Sequence, residues 1–245
     1  METGKRLTPS VDEDVSMVNK TMYQSAIGSL IYAAIATRPD LSVAVGDLSR
    51  HMSKPNSEHW CGVKRILRYV KGTLNHGLKF TGSNDDFDLV GYSDADWGGD
   101  LLSRKSTSGY LFQLGGSTVS WRSTRQSVVA LSTTEAEYIA LCGATQEAVW
   151  LRNLLASIDL KPSSPTLLYE DNQGAISLSK HPKDHGRTKH VDIKFHYTRE
   201  AIMNNVAVVK YCPTSEMTAD ILTKGLAKPA FEKFCRYIGV VDLSQ

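Results

Sequence analysis

Apolar and polar positions change rhythm along this chain, and the changes divide it. Residues 1–21 form a polar lead-in in which Asp12, Glu13 and Asp14 are adjacent, and they read as flexible. From Tyr23 to about Ala36 the run YQSAIGSLIYAAIA is apolar enough for a buried helix. Arg38-Pro39-Asp40 stops it, because proline has no N–H and disfavours helix in the residue before it. A second helix is predicted from Leu41 to about Met52, and a third from about Ser57 to Lys71, ended by Gly72. In the third, Val63, Ile66, Leu67 and Val70 form an apolar stripe, with Lys64, Arg65, Arg68 and Lys71 beside it. Residues 22–80 therefore read as a small helical segment. The polar stretch 81–86, TGSNDD, reads as a linker.

Beyond the linker the rhythm becomes that of strands. Phe87 to Ser93 (FDLVGYS) reads as a buried strand, and 109–114 with 117–122 as a hairpin around Gly115-Gly116. A long helix is predicted over Ser132–Ile158, a strand over Thr166–Glu170, and helices over Gln173–Ser179 and Val191–Met203. A strand over Val206–Tyr211, a helix over Ser215–Lys224 and a proline-opened helix over Pro229–Ile238 close the chain. The order β-β-β-α-β-α-α-β-α-α predicts an α/β domain over 87–245, a mixed sheet with helices on its faces.

Composition narrows the setting. With 41% hydrophobic and 22% charged residues, the 245-residue chain is ordinary globular material, which excludes a disulfide scaffold, a collagen-like fibre and a disordered tail. No apolar run approaches the roughly 20 residues of a membrane span, and the start lacks the apolar stretch of a signal peptide. Cys61, Cys142, Cys212 and Cys235 are far apart and form no C-x-x-C pair, as suits a reducing compartment. The expected location is intracellular, cytoplasmic or nuclear. The net charge of +2 hides an asymmetry: residues 1–80 carry 11 basic and 7 acidic side chains, and residues 81–245 carry 17 and 19. The basic helix 64–71 is either a solvated face or a phosphate-contacting one.

Chemistry is suggested by acids at the ends of elements. Asp94 and Asp96 close the first strand, Glu135 and Glu137 open the long helix, Asp171 follows the fourth strand, and Asp220 lies after the last. In α/β sheets ligands sit beyond the carboxyl ends of strands. Carboxylates converging there repel one another, and a hard divalent cation with a preference for oxygen relieves that repulsion. The two glutamates separate by helix geometry. Ser132-Thr133-Thr134-Glu135 fits a capping box, in which Glu135 reaches back to the Ser132 backbone N–H. Glu137 heads a stripe continued by Leu141, Ala144, Ala148, Leu151 and Leu155, so it faces the core. Pattern alone leaves Asp94 and Asp96 unseparated, one of them being a candidate turn former before Trp97-Gly98-Gly99, and Asp171 competes with a role as helix N-cap.

Taken together, YSDADWGGD, STSGY, STTEAEYIAL, EDNQGAISL, KHVDIKFHYTRE and ADILTKGL resemble the RNase H domain of copia-type LTR retrotransposon Pol polyproteins. YQSAIGSLIYAAIATRPDL, HW and KRILRYVKGT resemble the C-terminal end of the adjoining reverse transcriptase, its thumb or connection. The resemblance covers about residues 22–240. It implies an RNase H-like five-stranded mixed sheet flanked by helices and a four-carboxylate site for two Mg2+ ions, or Mn2+ in their place. Its register selects Asp94, Glu137, Asp171 and Asp220 as catalytic metal ligands. It places Thr133, Thr134 and Gln173 where relatives touch the minor groove of the hybrid. Two features depart from the family: the loop Cys212-Pro213-Thr214-Ser215-Glu216 has no histidine, and the Tyr-x-Asp-Asp palm motif is missing, so DNA polymerisation is not expected.

The function implied is a magnesium-dependent endonuclease that cleaves the RNA strand of RNA–DNA hybrids. Lys64, Arg65 and Arg68 would hold the hybrid backbone, and the rest of the Pol polyprotein is the implied partner. Two other classes compete: an inactive nucleic-acid-binding remnant, and an integrase-like enzyme acting on duplex DNA. His181, His185, His190 and His196 have spacings that do not fit a paired-ligand zinc motif, and a structural or phosphate-contacting role is expected of them.

Overall fold

The structure, a computed structural model, describes residues 18–81, 88–180 and 189–244. The chain begins with α1 (Lys20–Ala36), a 3-10 turn over Pro39–Leu41, α2 (Ser42–Ser49), α3 (Ser57–Gly72) and β1 (His76–Leu78). There follow β2 (Leu89–Ala95), β3 (Thr107–Leu114), β4 (Ser117–Arg125) and the long α4 (Thr133–Ser157). Next come β5 (Thr166–Glu170), α5 (Gln173–Lys180), α6 (Lys189–Met203) and β6 (Ala207–Tyr211). Two 3-10 turns, Thr214–Glu216 and Thr218–Leu222, lead to α7 (Lys228–Tyr237) and β7 (Val240–Asp242). Most of the expected lead-in and most of the expected linker lie outside the described residues.

These elements form two compact units, Met1–Lys79 with Lys224–Gln245, and Phe80–Thr223. The first unit departs from the expected 87–245 domain at the C-terminal end. Its tail groups with the helices because β1 and β7 pair antiparallel, Lys79 N–H donates to Gly239 O, and the rings of Tyr69 and Phe231 meet edge to face. In α1, Asn19 caps the helix by accepting from Met22 N–H, and Tyr23, Ile27, Leu30 and Ala34 fall on one buried face. That face packs with Leu41, Val45, Leu48, Val63 and Ile66, whereas Leu67, expected in the stripe of α3, is exposed. The Arg38-Pro39-Asp40 stop does more than end a helix. Arg38 makes a two-pronged buried pair with Asp40 (2.9 and 2.7 Å), and the Tyr69 hydroxyl donates to the same carboxylate. A buried charge is tolerated only when paired in this way.

The second unit carries the expected α/β architecture, a five-stranded mixed sheet in the order β4-β3-β2-β5-β6. The β2–β3–β4 part is antiparallel, and β5 lies parallel to both β2 and β6. Helix α4 packs on β2 and β3 through the stripe anticipated from the sequence: Leu141, Ala144, Ala148, Leu151 and Leu155 are all buried. The first four of them close a core with Leu89, Phe112, Leu168 and Val209.

Two expectations need correction. Strand β2 runs to Ala95 rather than Ser93, which places Asp94 inside the ladder opposite Gly109. The expected helix over 215–224 is instead two 3-10 turns. Residues 217–222 are buried without exception, so no polar face remains to make an amphipathic helix of them.

Candidate active site

The site is built where β2, α4 and β5 present their acids. Small side chains allow the approach: Ala95 next to Asp94 packs with Ala136, Ala140 and Ala130, so α4 settles close to the end of β2. Gln126 holds the start of that helix, donating through Nε2 to Ala136 O and to Ser108 Oγ on β3 (both 2.9 Å). The helix is capped by Ser132, whose hydroxyl accepts from Glu135 N–H. Glu135 reaches back, as expected, but to the Leu131 N–H (2.8 Å) rather than to that of Ser132.

Asp94, Glu137 and Asp171 converge, each offering a carboxylate oxygen, all within 4.8 Å of one another. Asp94 and Glu137 are buried and Asp171 is half-buried. One oxygen of Glu137 accepts from the Ala95 backbone N–H, and the other is buried without a hydrogen-bond partner among the described residues. Burial first, and then repulsion from Glu170, Asp94 and Asp171, pushes the Glu137 carboxyl up to about 11. A buried carboxylate oxygen with no donor, facing further carboxylates, fits a hard divalent cation. The donor set is all oxygen, as Mg2+ or Mn2+ prefers.

Asp220 is buried on the second 3-10 turn, which packs on β2 and β3, but it is not among the three acids gathered within 4.8 Å. Asp96 is separated from Asp94 by its bonding: its carboxylate accepts from Thr107 N–H and ties the two ends of the 96–107 loop together. Asp171 is not the N-cap of α5. Asn172 takes that task, accepting from Ala175 N–H through Oδ1 (3.0 Å), which leaves Asp171 to the cluster. The Thr134 hydroxyl lies against the same Asn172 oxygen at 3.4 Å, while Thr133 and Gln173 are exposed at the starts of α4 and α5. Gly174 makes this junction compact, since a Cβ there would stand 2.7 Å from Thr134 Oγ1. Lys64, Arg65 and Arg68 are exposed on α3, in the other unit. His181 and His185 lie outside the described residues, as does the side chain of His190, and His196 is exposed.

Glu170 is a site residue that sequence reasoning missed. It is fully buried at the end of β5, accepts from Asn172 N–H, and is pushed well above the usual carboxylate range by burial and by Asp171 and Asp94. The signal was available in the strand period, because Thr166, Leu168 and Glu170 alternate onto one buried face. Two hydroxyls were also missed: Thr223 donates to Asp94 Oδ2, and Thr214, in the loop without a histidine, donates to Asp171 Oδ2 (2.7 Å).

No protein-family model matches the chain. Over 240 residues it is 43% identical to the retrovirus-related Pol polyprotein from transposon TNT 1-94 of Nicotiana tabacum, an alignment covering 98% of this chain and 18% of that polyprotein. Nearly the whole chain is thus similar to one part of retrovirus-related Pol polyproteins from plant transposons. It spans less than a fifth of the length of the Pol relatives it matches. The secreted RxLR effector protein 161 of Plasmopara viticola is 58% identical over 129 residues, covering 53% of this chain and 90% of that protein. Among solved structures, RNase H1 from Halobacterium salinarum NRC-1 aligns with a TM-score of 0.40 at 17% identity, covering 56% of this chain and 94% of that one.

Proposed function

We propose that this chain is the ribonuclease H part of a retrotransposon polymerase, a Mg2+-dependent endonuclease that cuts the RNA strand of RNA–DNA hybrids. What carries the reading is the convergence of Asp94, Glu137 and Asp171, with a buried Glu137 oxygen that no hydrogen bond among the described residues satisfies. The similarity of the chain to Pol polyproteins of transposons supports the substrate class of that chemistry.

Asp94, Glu137 and Asp171 would hold the metal, with Asp220 the fourth acid of the set. Bound Mg2+ ions supply an activated water and stabilise charge on the leaving oxygen. The remaining work falls to the protein. Without a cation, Glu137 retains a proton far above the usual range, so the site loads by exchanging protons for metal. Thr133 and Gln173, exposed at two helix starts, are suited to the 2′-hydroxyls that distinguish RNA in a wide, shallow minor groove. Thr134 instead orients the junction through Asn172. Lys64, Arg65 and Arg68 add sequence-independent affinity that weakens with salt.

The test is a hybrid labelled on each strand, incubated with the full chain and Mg2+. RNA-strand cleavage that chelation stops, and that Asp94→Asn abolishes, is the expected result. Tight binding without cleavage overturns the reading in favour of an inactive nucleic-acid-binding remnant. Cutting of duplex DNA overturns it in favour of an integrase-like enzyme.

A further inference from the structure

Two side chains that hold acids of the cluster in place come from one short stretch of chain. After β6, the segment 214–223 runs through its two 3-10 turns and contributes two hydroxyls to the cluster. Thr223 Oγ1 donates to Asp94 Oδ2, and Thr214 Oγ1 donates to Asp171 Oδ2 at 2.7 Å. Both recipients are among the three clustered carboxylates. The third, Glu137, is held differently, by the Ala95 backbone N–H.

We propose that Thr223 and Thr214 are positioning residues for metal binding: each hydroxyl commits one oxygen of its carboxylate, so that ligation falls to the other oxygen. The need for them is physical. The terminal torsion of an aspartate is broad and nearly two-fold, and like charges a few ångströms apart turn away from one another. A hydrogen bond to a carboxylate is among the stronger ones and fixes that torsion. Threonine is suited to the task because its branched Cβ restricts χ1 and makes the hydroxyl directional. Thr223 is further locked by packing, since it is buried and its methyl lies against the backbone of Gly109. That packing also separates the two hydroxyls in weight. The Thr223 bond is shut away from water, whereas the Thr214 bond is exposed, where water can take over its place.

The inference rests on the cluster being a divalent-cation site, and its test is therefore read first as binding. Mn2+ and Mg2+ are titrated calorimetrically into the full chain, wild type and variants, followed by hybrid cleavage as a function of Mg2+. Thr223→Val replaces the hydroxyl by a methyl of nearly the same shape. It is expected to weaken metal binding about tenfold or more, in line with the loss of a group orienting a ligand. The Mg2+ needed for half-maximal cleavage rises by the same factor, and KM for the hybrid does not move. Thr223→Ser keeps the hydroxyl and restores binding, and Thr214→Val gives the smaller loss. Wild-type affinity in Thr223→Val overturns the proposal, and so does a Thr223→Ser as weak as Thr223→Val, which would make the role one of packing. Thr223→Ala, also without a hydroxyl but free of any new bulk, decides the matter if the valine variant does not fold. A wild type that binds metal but leaves hybrids intact removes the hydrolase reading alone, and the titrations still decide this one. A wild type that binds no divalent cation overturns both.

Discussion

Gly109→Ala is the change for which two physical arguments give opposite signs. In a strand, replacing glycine by alanine normally stabilises by about 0.4–1 kcal/mol, because the unfolded chain has less freedom to lose. At Gly109, however, a Cβ would stand 2.7 Å from Thr223 Cγ2, 2.8 Å from Leu222 Cβ and 3.3 Å from the Ala219 carbonyl oxygen. None of these is the tip of a long side chain that can swing aside. All belong to the buried turn after β6. Carbon atoms rest about 3.5–4.0 Å apart, so the turn must retreat by roughly 0.7–1 Å. Forcing a methyl into a packed interior costs about 1–3 kcal/mol. Set against the entropic gain, the net destabilisation centres on about 1.3 kcal/mol, a fall in melting temperature of about 3–5 °C for a chain of this size. The retreat also draws Thr223 from Asp94, so the Mg2+ requirement of cleavage should rise in the same variant. Calorimetric melting of the metal-free protein, paired with a Mg2+ titration of hybrid cleavage, reads both. A melting temperature equal to or above the wild type would refute the reasoning, since the strand argument alone predicts that result.

Two further outcomes concern pH. Glu137→Gln should raise the melting temperature of the chelator-treated protein at neutral and alkaline pH while abolishing Mg2+-dependent cleavage. The native carboxyl is pushed up to about 11 while an unfolded one titrates near 4.5, so the native state holds a proton that the unfolded chain has released, and stability falls as pH rises between those values. The amide removes that slope, and parallel stability–pH curves for the two proteins would contradict it. Asp100 works in the opposite sense: burial alone would raise it, yet the Arg125 guanidinium at 2.6 Å and the Ser103 and Leu102 N–H groups hold it well below the usual range. Its stabilisation is present above about pH 4 and lost as pH falls, so Asp100→Asn should melt lower at neutral pH and decline less steeply in acid, as circular dichroism melts would show.

The parts of the site that were legible in the sequence are those fixed by local periodicity. Glu137 heads a helical stripe whose five following members are all buried, and that stripe alone aims it inward. Thr166–Glu170 is delimited to the residue, because a short apolar run, Leu167-Leu168-Tyr169, bounded by Ser-Pro before it and Asp-Asn after it, reads as a strand. Asp94 and Asp96 stayed unseparated because both positions point to one face of a strand. What separates them is a bond to Thr107 on the far side of a loop. The hydroxyl of Thr223 has its partner 129 positions away and that of Thr214 has its partner 43 away, and no local pattern encodes such distances. The three-residue strands β1 and β7 are likewise too short to have a period, yet their pairing assigns the tail to the helical unit.

Glu170 shows how far this site is arranged against its own metal-free state. A carboxyl at that position adds another acid to a group that already repels itself, and its burial is unfavourable in the charged form. A hydrophobic residue would satisfy the sheet interior better. Glu170 nevertheless accepts from Asn172 N–H, and Asn172 caps α5 and meets Thr134 at the start of α4. The turn that presents Asp171 is therefore tied through one carboxyl to the helix that presents Glu137. Replacing Glu170 by an apolar residue would relieve repulsion and loosen that tie at once. The relief is useful only to a protein without metal. Because ligands must lose protons to bind a cation, and because a cation would cancel the repulsion they then feel, metal binding and folding would reinforce each other at such a site. A cluster of acids placed for stability alone would sit at the surface, paired with lysines. One that is buried, braced by hydroxyls and, among the described residues, left with an unpaired oxygen at Glu137 fits the cation-binding role proposed above.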